Sequence, residues 1–244
     1  MSGHQSDSLA PPLSSAGIVP WLALQQLLDS ALPIGGFSHS FGLETLVQEG
    51  AVRNAADLEE YIRAMLLQSW STADVMVIKA VYRDMPVRDL KSLWAVERHV
   101  HIQRAAVESR TGIQKMGRRL LQLLMSLYPQ CDWSPLTEGV RKNDCLATHP
   151  LVFGYACWQL GINLEQAAQG YLYACIVTCV GSALRLMSMG QTEGQSIIAR
   201  LTPMTAEAWR SVESLEPEDA YSNMPLAEIA MMRHEQLYSR LFMS

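Results

Sequence analysis

The chain has 244 residues, of which 49% are hydrophobic, and its formal net charge is −5 at pH 7. This length is enough to bury a sizeable core, and the apolar content excludes an intrinsically disordered chain. An acidic chain is poorly suited to nucleic acid as its main partner, because phosphate binding requires a basic surface. The five cysteines are an odd number without framework spacing, which is typical of a reduced, cytoplasmic protein.

Residues 1–17 are polar, rich in Ser and Pro, and lack the basic and apolar regions of a signal peptide. We therefore expect a disordered leader over 1–17 and a single domain over 18–244. Apart from short ambiguous runs, the sequence lacks the alternation of β-strands. The fold class predicted is all-α, a helical bundle of about eight to ten helices.

The first half of the chain predicts three long helical runs. Residues 21–28 form a leucine-rich run, and Asn54 is expected to cap a helix that extends to about residue 82. A third helix is predicted from Pro86 to about residue 127, because proline is well tolerated in a first turn. Residues 129–143 are predicted to form a turn-rich joint.

In the second half, His149-Pro150 is expected to open a short helix that ends at Gly161, and a long helix should follow over residues 163–187. Further helices are predicted over 195–201 and 203–215, followed by an acidic loop and an amphipathic tail over 225–242. Small residues recur at every fourth position of the long helix, which predicts a groove that a second helix can approach closely: Gly170, Ala174, Thr178 and Ser182.

Residues 166–184 of the long helix carry no charge, which approaches the length of a membrane span. They also contain Gln, Gly, Thr and Ser, and their apolar residues form a stripe. A buried core helix is therefore the favoured interpretation, and a membrane-associated helical protein is retained as an alternative.

The loop over residues 29–44 is specified in unusual detail, with adjacent glycines and Ser38 and Ser40 on either side of His39. The sequence around Ser38 misses the G-x-S-x-G nucleophile elbow by one glycine and follows a helix rather than a strand. Ser38 and Ser40 are better explained as helix caps, with Glu44 reaching back to the backbone and His39 exposed. A serine hydrolase that uses Ser38 stays as an alternative function.

Other chemistry finds little support. His99 and His101 point in opposite directions on a helix, and Tyr238 stands where an H-E-x-x-H motif starting at His234 needs its second ligand. The sequence has neither a P-loop nor a G-x-G-x-x-G motif. We therefore predict no catalytic residues, no metal site and no cofactor.

Two charged regions are candidate contact surfaces. A basic strip between residues 98 and 119 either docks a partner or is simply a solvated helix face: Arg98, Arg104, Arg110, Lys115, Arg118 and Arg119. In the tail, Arg233, Gln236 and Arg240 share a face if the helix is continuous, close to Tyr238 and Phe242. A docking tail and a last helix folded onto its own core are both consistent with this pattern.

Taken together, the motifs resemble the urease accessory protein UreF family. The resemblance rests on residues 29–44, on Glu108-Ser-Arg110, on His149-Pro150, on the segment around Arg185 with Gly190 and Gly194, and on residues 232–242. It covers roughly residues 20–244. The resemblance implies an all-helical, dimeric, non-enzymatic protein that is needed for nickel insertion into urease apoprotein. The small-residue groove of the long helix is the candidate dimer contact.

The resemblance further implies two partners, a scaffold of the UreD/UreH type and the GTPase UreG. This protein would bridge them and so modulate the GTP-dependent metallation of urease. Residues 233–242 would contact the scaffold, and the loop over 35–44 would help form the GTPase surface. The expected partner-binding residues are Gly36, Phe37, Ser38, His39, Glu44, Arg185, Arg233, His234, Glu235, Tyr238, Arg240 and Phe242. No nucleic acid or membrane partner is expected.

Overall fold

The computed structural model describes residues 19–244, so the leader expected at 1–17 lies outside the described residues. The prediction of an all-helical fold is confirmed, since residues 19–244 contain helices and connecting turns but no β-strand. The α-helices, in chain order, are α1 (Pro20–Leu27), α2 (Leu43–Gln48), α3 (Ala55–Met65), α4 (Val75–Asp84), α5 (Leu90–Gln103), α6 (Val107–Leu127), α7 (Ser134–Lys142), α8 (His149–Gln159), α9 (Leu164–Leu186), α10 (Gln191–Leu201), α11 (Met204–Val212) and α12 (Pro225–Arg233). A π-helical segment, Leu66–Asp74, joins α3 to α4, and 3₁₀ turns occur at Gly36–Ser38, Pro217–Asp219 and His234–Gln236.

Helix α9 lies at the centre of the bundle and contacts α2, α4, α8, α10 and α11. It is long and apolar enough to cross a membrane, but 56% of its most apolar window is buried inside the protein. An apolar helix needs no lipid when its neighbours cover it in this way. The burial of α9 therefore supports its interpretation as the core helix of a soluble protein.

The run predicted over residues 54–82 is helical throughout, and Asn54 caps it as expected by accepting hydrogen bonds from the backbone N–H groups of Ala56 and Asp57. Its middle, however, widens into the π-helical segment. Extended residues near the tail pair with that segment: the Tyr221 N–H donates to Thr72 O at 2.9 Å, and the Asn223 N–H to Gln68 O at 2.7 Å. The distant segment thus satisfies carbonyl groups of the irregular helix.

The helix predicted from Pro86 to residue 127 is wrong in two respects. It begins only at Leu90, after Asp89 accepts a hydrogen bond from the Ser92 N–H at 3.0 Å. It also breaks between α5 and α6, where Arg104 has an extended backbone (ψ 111°). The Arg104 guanidinium is drawn inward to the buried Asp74 carboxylate, a tertiary ion pair that local periodicity does not reveal.

The turn-rich joint predicted at residues 129–143 is also wrong, because α7 occupies most of it. Pro135 lies in the first turn of α7, where proline is compatible with a helix. Asn143 ends the helix in the left-handed conformation, with φ 61°. Likewise, α10 begins at Gln191, before the predicted start at residue 195, and contains Gly194.

The small-residue groove of α9 is covered at both ends by the chain itself. A Cβ atom on Gly170 would lie 3.2 Å from Leu24 of α1, and the buried Ser182 hydroxyl donates to the carbonyl oxygen of His39 at 3.4 Å. In the middle of the groove, Ala174 and Thr178 line two cavities. The dimer contact expected at this groove stays a prediction.

Helix α6 packs closely against the chain at the start of α8 at Gly117, where an added Cβ atom would lie 2.1 Å from the carbonyl oxygen of Ala147. We expect Gly117→Ala to lower the free energy of unfolding by about 2 kcal/mol or more, since backbone must move to relieve the overlap. Gly181→Ala is the matched control, because a Cβ atom there meets nothing within 4 Å and alanine favours a helix. Urea unfolding followed by circular dichroism measures both; equal stabilities would contradict the close approach.

Candidate functional site

Two regions that are distant in sequence are joined by hydrogen bonds on one side of the bundle. We call the loop over residues 35–44 together with residues 234–244 the junction. The backbone N–H groups of Ser40 and Phe41 donate to the carbonyl oxygen of Ser244 at 2.6 and 3.0 Å, and the Met243 N–H donates to Ser38 O at 2.8 Å. The Ser40 hydroxyl adds a bond to the same Ser244 oxygen at 2.9 Å.

A buried carboxylate, that of Glu44, fixes the tail segment within the junction. It accepts hydrogen bonds from the backbone N–H groups of Leu241 at 2.6 Å and Phe242 at 3.1 Å. Its second oxygen also lies 3.0 Å from Nε2 of His234. Only 2% of Glu44 is exposed, so these donors replace the water that the carboxylate loses on folding.

His234 is completely buried and lies between two carboxylates. Its Nδ1 is 2.8 Å from Glu108, while its Nε2 faces Glu44. Each ring nitrogen of His234 therefore has a carboxylate as its hydrogen-bond partner. Glu108 also accepts from Arg240 at 2.7 Å, so helix α6 is tied to the tail as well.

His39 is buried at 5% exposure, which corrects the prediction of an exposed histidine. Its Nδ1 lies 2.7 Å from the Ser244 hydroxyl, and its ring packs against Gly112 of α6 and stacks on Phe41. Burial lowers the pKa of His39 to about 4, and the positive charges of Lys115 and Arg119 act in the same direction. His39 is therefore a neutral structural element of the junction at neutral pH.

The predicted helix cap is wrong in its details. Helix α2 begins at Leu43 after Gly42, whose φ of 89° favours glycine, so neither predicted serine is its N-cap residue. The Ser40 hydroxyl does accept a hydrogen bond from the Glu44 N–H in the first turn, at 3.4 Å. The Ser38 hydroxyl donates to Gly35 O at 2.7 Å, and Glu44 turns toward the tail instead of reaching back. Because His39 bonds Ser244 rather than Ser38, this geometry gives Ser38 no activating base.

The tail is not a continuous helix, which corrects the predicted face formed by Arg233, Gln236 and Arg240. Helix α12 ends at Arg233, and the chain after the 3₁₀ turn runs extended over the loop. Arg233 instead lies 3.3 Å from Glu49 at the surface. The sequence left open whether the tail docks a partner or folds onto the core. Phe242 is buried, as expected for a tail folded onto the core, whereas Tyr238 is fully exposed.

Arg185 of α9 connects the core helix to both parts of the junction. Its guanidinium donates to Phe37 O at 2.6 Å and lies over the Phe242 ring, 4.2 Å from the centroid. The Phe37 side chain itself is 68% exposed. Gly36 lies beside Met116 of α6, and Glu235 is exposed on the 3₁₀ turn.

A second group of buried polar residues, missed by the sequence reasoning, lies behind the loop around a cavity of about 80 Å³. Asp74 pairs there with Arg104 and accepts a hydrogen bond from the Tyr171 hydroxyl at 3.2 Å. Burial raises the pKa of Asp74, and the charge of Arg104 opposes this shift. The one signal for this group in the sequence was Asp74 itself, a single carboxylate that follows ten uncharged residues, 64–73. Within residues 19–244, no three His, Cys, Asp or Glu side chains are arranged to hold a metal ion.

A wider cavity of about 460 Å³ opens beside the loop. It shares four lining residues with the inner cavity: Met116, His149, Ala174 and Thr178. His149 has its pKa lowered to about 4 by burial and packs against Phe153 and Tyr171. The loop therefore covers a partly hollow interior rather than a fully packed one.

Fold and site together define an all-helical protein whose distinctive feature is a glycine-containing loop locked to its own tail. The family model for UreF matches residues 52–202. A relative from Bacillus sp. (strain TB-90) is named urease accessory protein UreF and is 34% identical over 227 residues. The match covers 91% of this chain and 98% of the relative. Proteins of the same name from Actinobacillus pleuropneumoniae and Streptococcus salivarius (strain 57.I) are 35% and 29% identical, covering 91% and 96% of this chain and 98% of each relative. The chain belongs to the UreF family of urease accessory proteins.

Replacing Glu44 by Gln should release the tail from the loop. The amide cannot accept from all three donors, and it leaves His234 with one anionic neighbour, so we expect a loss of about 3 kcal/mol in the free energy of unfolding. Hydrogen exchange at the Leu241 and Phe242 amides should accelerate. The matched control is Glu49→Gln, whose exposed pair with Arg233 should contribute less than about 1 kcal/mol. Unchanged exchange in Glu44→Gln would contradict the assigned role.

The buried histidines predict loss of stability in mild acid. The pKa of His149 falls from its ordinary 6.5 to about 4 on folding, so the unfolded chain binds the proton more readily between these values. Stability should be complete above pH 6.5 and should fall by up to about 1.4 kcal/mol per pH unit from His149 alone as pH drops toward 4. His149→Phe keeps the aromatic packing and should show a shallower pH dependence in urea unfolding at pH 7.5 and pH 5.

Proposed function

We propose that this chain is a non-enzymatic adaptor that is needed for nickel insertion into urease apoprotein. In this role it bridges a UreD/UreH-type scaffold and a UreG-type GTPase in the cytoplasm, as a homodimer. Membership of the urease accessory family supports the pathway. The partners and their arrangement come from the resemblance of the motifs at residues 29–44 and 232–242.

The observation that carries the proposal is an apolar surface presented around the junction. Tyr238 is fully exposed, Leu241 is 60% exposed and Met243 is 57% exposed. The backbone N–H groups of Leu241 and Met243 are hydrogen-bonded to Glu44 and Ser38 of the loop. Neighbouring helix α12 presents further apolar residues to solvent: Leu226, Ile229 and Met232. Large apolar side chains on a rigid backbone are typical of protein contact surfaces, because little conformational entropy is lost on binding.

The scaffold is assigned to the tail side of this surface. Aromatic and arginine residues there, above all Tyr238, have the character of interface anchors. The backbone beneath Tyr238 is ordered by Glu44 and Glu108, so the tail is presented as a preformed element. The GTPase is assigned to the side of the loop that carries the exposed Phe37.

The adaptor modulates the GTPase by contacting its nucleotide states with different affinity, which shifts the balance between them. A direct role for an arginine in GTP hydrolysis is less well supported. Arg233 and Arg240 are already paired with Glu49 and Glu108, and Arg185 is committed to Phe37 O and the Phe242 ring. These contacts favour anchoring roles within the interface.

The decisive experiment is copurification after coexpression with the other urease accessory proteins. We expect Tyr238→Ala combined with Leu241→Ala to reduce recovery of the scaffold at least about tenfold, since loss of anchor residues commonly costs more than 1.4 kcal/mol. Urease activation should fall in parallel while the unfolding midpoint stays unchanged, because both side chains are exposed. Recovery of active urease without any scaffold bound to the wild type would refute the proposal.

The matched control is Val87→Ala combined with Met125→Ala, which removes two exposed apolar side chains outside the junction. This variant should recover the scaffold as well as the wild type does. Equal losses in both variants would point to general surface hydrophobicity rather than to a specific site.

A further inference from the structure

The basic strip between residues 98 and 119 is divided by the structure into paired and unpaired cations. Arg98 donates to Asp144 O, Arg104 is buried against Asp74, and Arg110 donates to backbone carbonyl oxygens. Lys115, Arg118 and Arg119 remain exposed and, within residues 19–244, form neither a salt bridge nor a hydrogen bond. Two of these three, Lys115 and Arg119, share one face of α6. The strip is thus not a uniform solvated face.

These two cations lie beside the loop. They are four residues apart on α6 and therefore share one face. An added Cβ atom on Gly35 would lie 2.3 Å from Nη1 of Arg119, so its guanidinium covers the start of the loop. Both positive charges also act, after burial, to lower the pKa of His39 in the loop.

Arg185 completes a set of three cations around the loop. It is exposed and donates only to the uncharged carbonyl oxygens of Gly181 and Phe37. Three carboxylates occur nearby, and that of Glu44 is buried and bonded to His234 and the tail. Glu108 is engaged by His234 and Arg240, and Asp29, on the rim of the wider cavity, accepts from the Ala31 N–H at 2.8 Å. The positive charge of the three cations is therefore not neutralised within the described part of the chain.

We infer that Lys115, Arg119 and Arg185 form a basic ring around Phe37 that docks a carboxylate-rich surface patch of a partner protein. On the proposed function, on which this inference rests, the partner is the GTPase. A local basic ring on a chain of net charge −5 suits a small acidic patch, whereas an extended polyanion would meet repulsion beyond it. The exposed Phe37 ring supplies the apolar centre that a charged rim alone lacks.

The test compares Lys115→Glu combined with Arg119→Glu against Lys91→Glu combined with Arg141→Glu. The control makes the same change of net charge at exposed residues outside the ring. Association with the purified GTPase should slow at least about tenfold in the ring variant at about 50 mM salt, and the difference should shrink at about 300 mM salt. Arg185 is left intact because it also holds the loop.

A second measurement checks the geometry independently of any partner. Reversal of both charges should raise the pKa of His39 from about 4 toward its ordinary 6.5, as followed by its ring NMR signals. An unchanged pKa would show that the two side chains do not face the loop and would overturn the inference.

The outcomes separate this inference from the proposed function. Equal association of the ring variant and the control overturns the basic ring alone and leaves the adaptor role intact. The wild type could instead bind single-stranded DNA, with the ring variant losing that binding while its GTPase binding stays unchanged. This result would show that the ring binds a polyanion rather than an acidic protein, and it would also overturn the inference. Absence of GTPase binding by every form at each salt concentration overturns both.

Discussion

The Glu44 carboxylate is the contact on which the rest of the junction depends. It is buried, so each of its lone pairs must find a donor, and the donors come from His234 and from the backbone at Leu241 and Phe242. Loss of the tail would remove all three of these donors and leave a charged group poorly satisfied in a dry environment. Loop and tail are therefore expected to order and disorder together rather than independently.

A second buried charge shapes the interior behind the loop. The pairing of Asp74 with Arg104 ends helix α5 and separates it from α6, and Glu228 of α12 accepts the freed Ala105 N–H at 2.8 Å. The π-helical segment that carries Asp74 is in turn bonded to the chain just before α12. The core and the surface of the junction are thus connected through helix α12 and the residues before it. A partner that binds at the tail contacts an element that also borders the cavity.

Electrostatics and apolar exposure divide the junction into two contact regions. Tyr238 and Leu241 extend from the tail, whereas Phe37 lies within a ring of cations on the loop side. An adaptor needs such a division, because two partners can bind at once only on separate surfaces. Since the two regions share the backbone bonds around Ser244, binding at one can influence the other through a shared element.

Helical periodicity, the Asn54 cap and the motifs at residues 29–44 and 232–242 determined the all-helical fold and the family from the sequence alone, because these signals are local. Those motifs also identified the residues that the structure brings together, from Phe37 to Phe242. Only the tertiary structure decided that His39 is buried, that the α-helix of the tail ends at Arg233, and that Arg104 breaks a helix. Each of these outcomes depends on a partner more than twenty residues away: Ser244 for His39, Glu44 for the tail and Asp74 for Arg104. A buried polar group takes the conformation that satisfies its hydrogen bonds, and local propensity is too weak to oppose that cost.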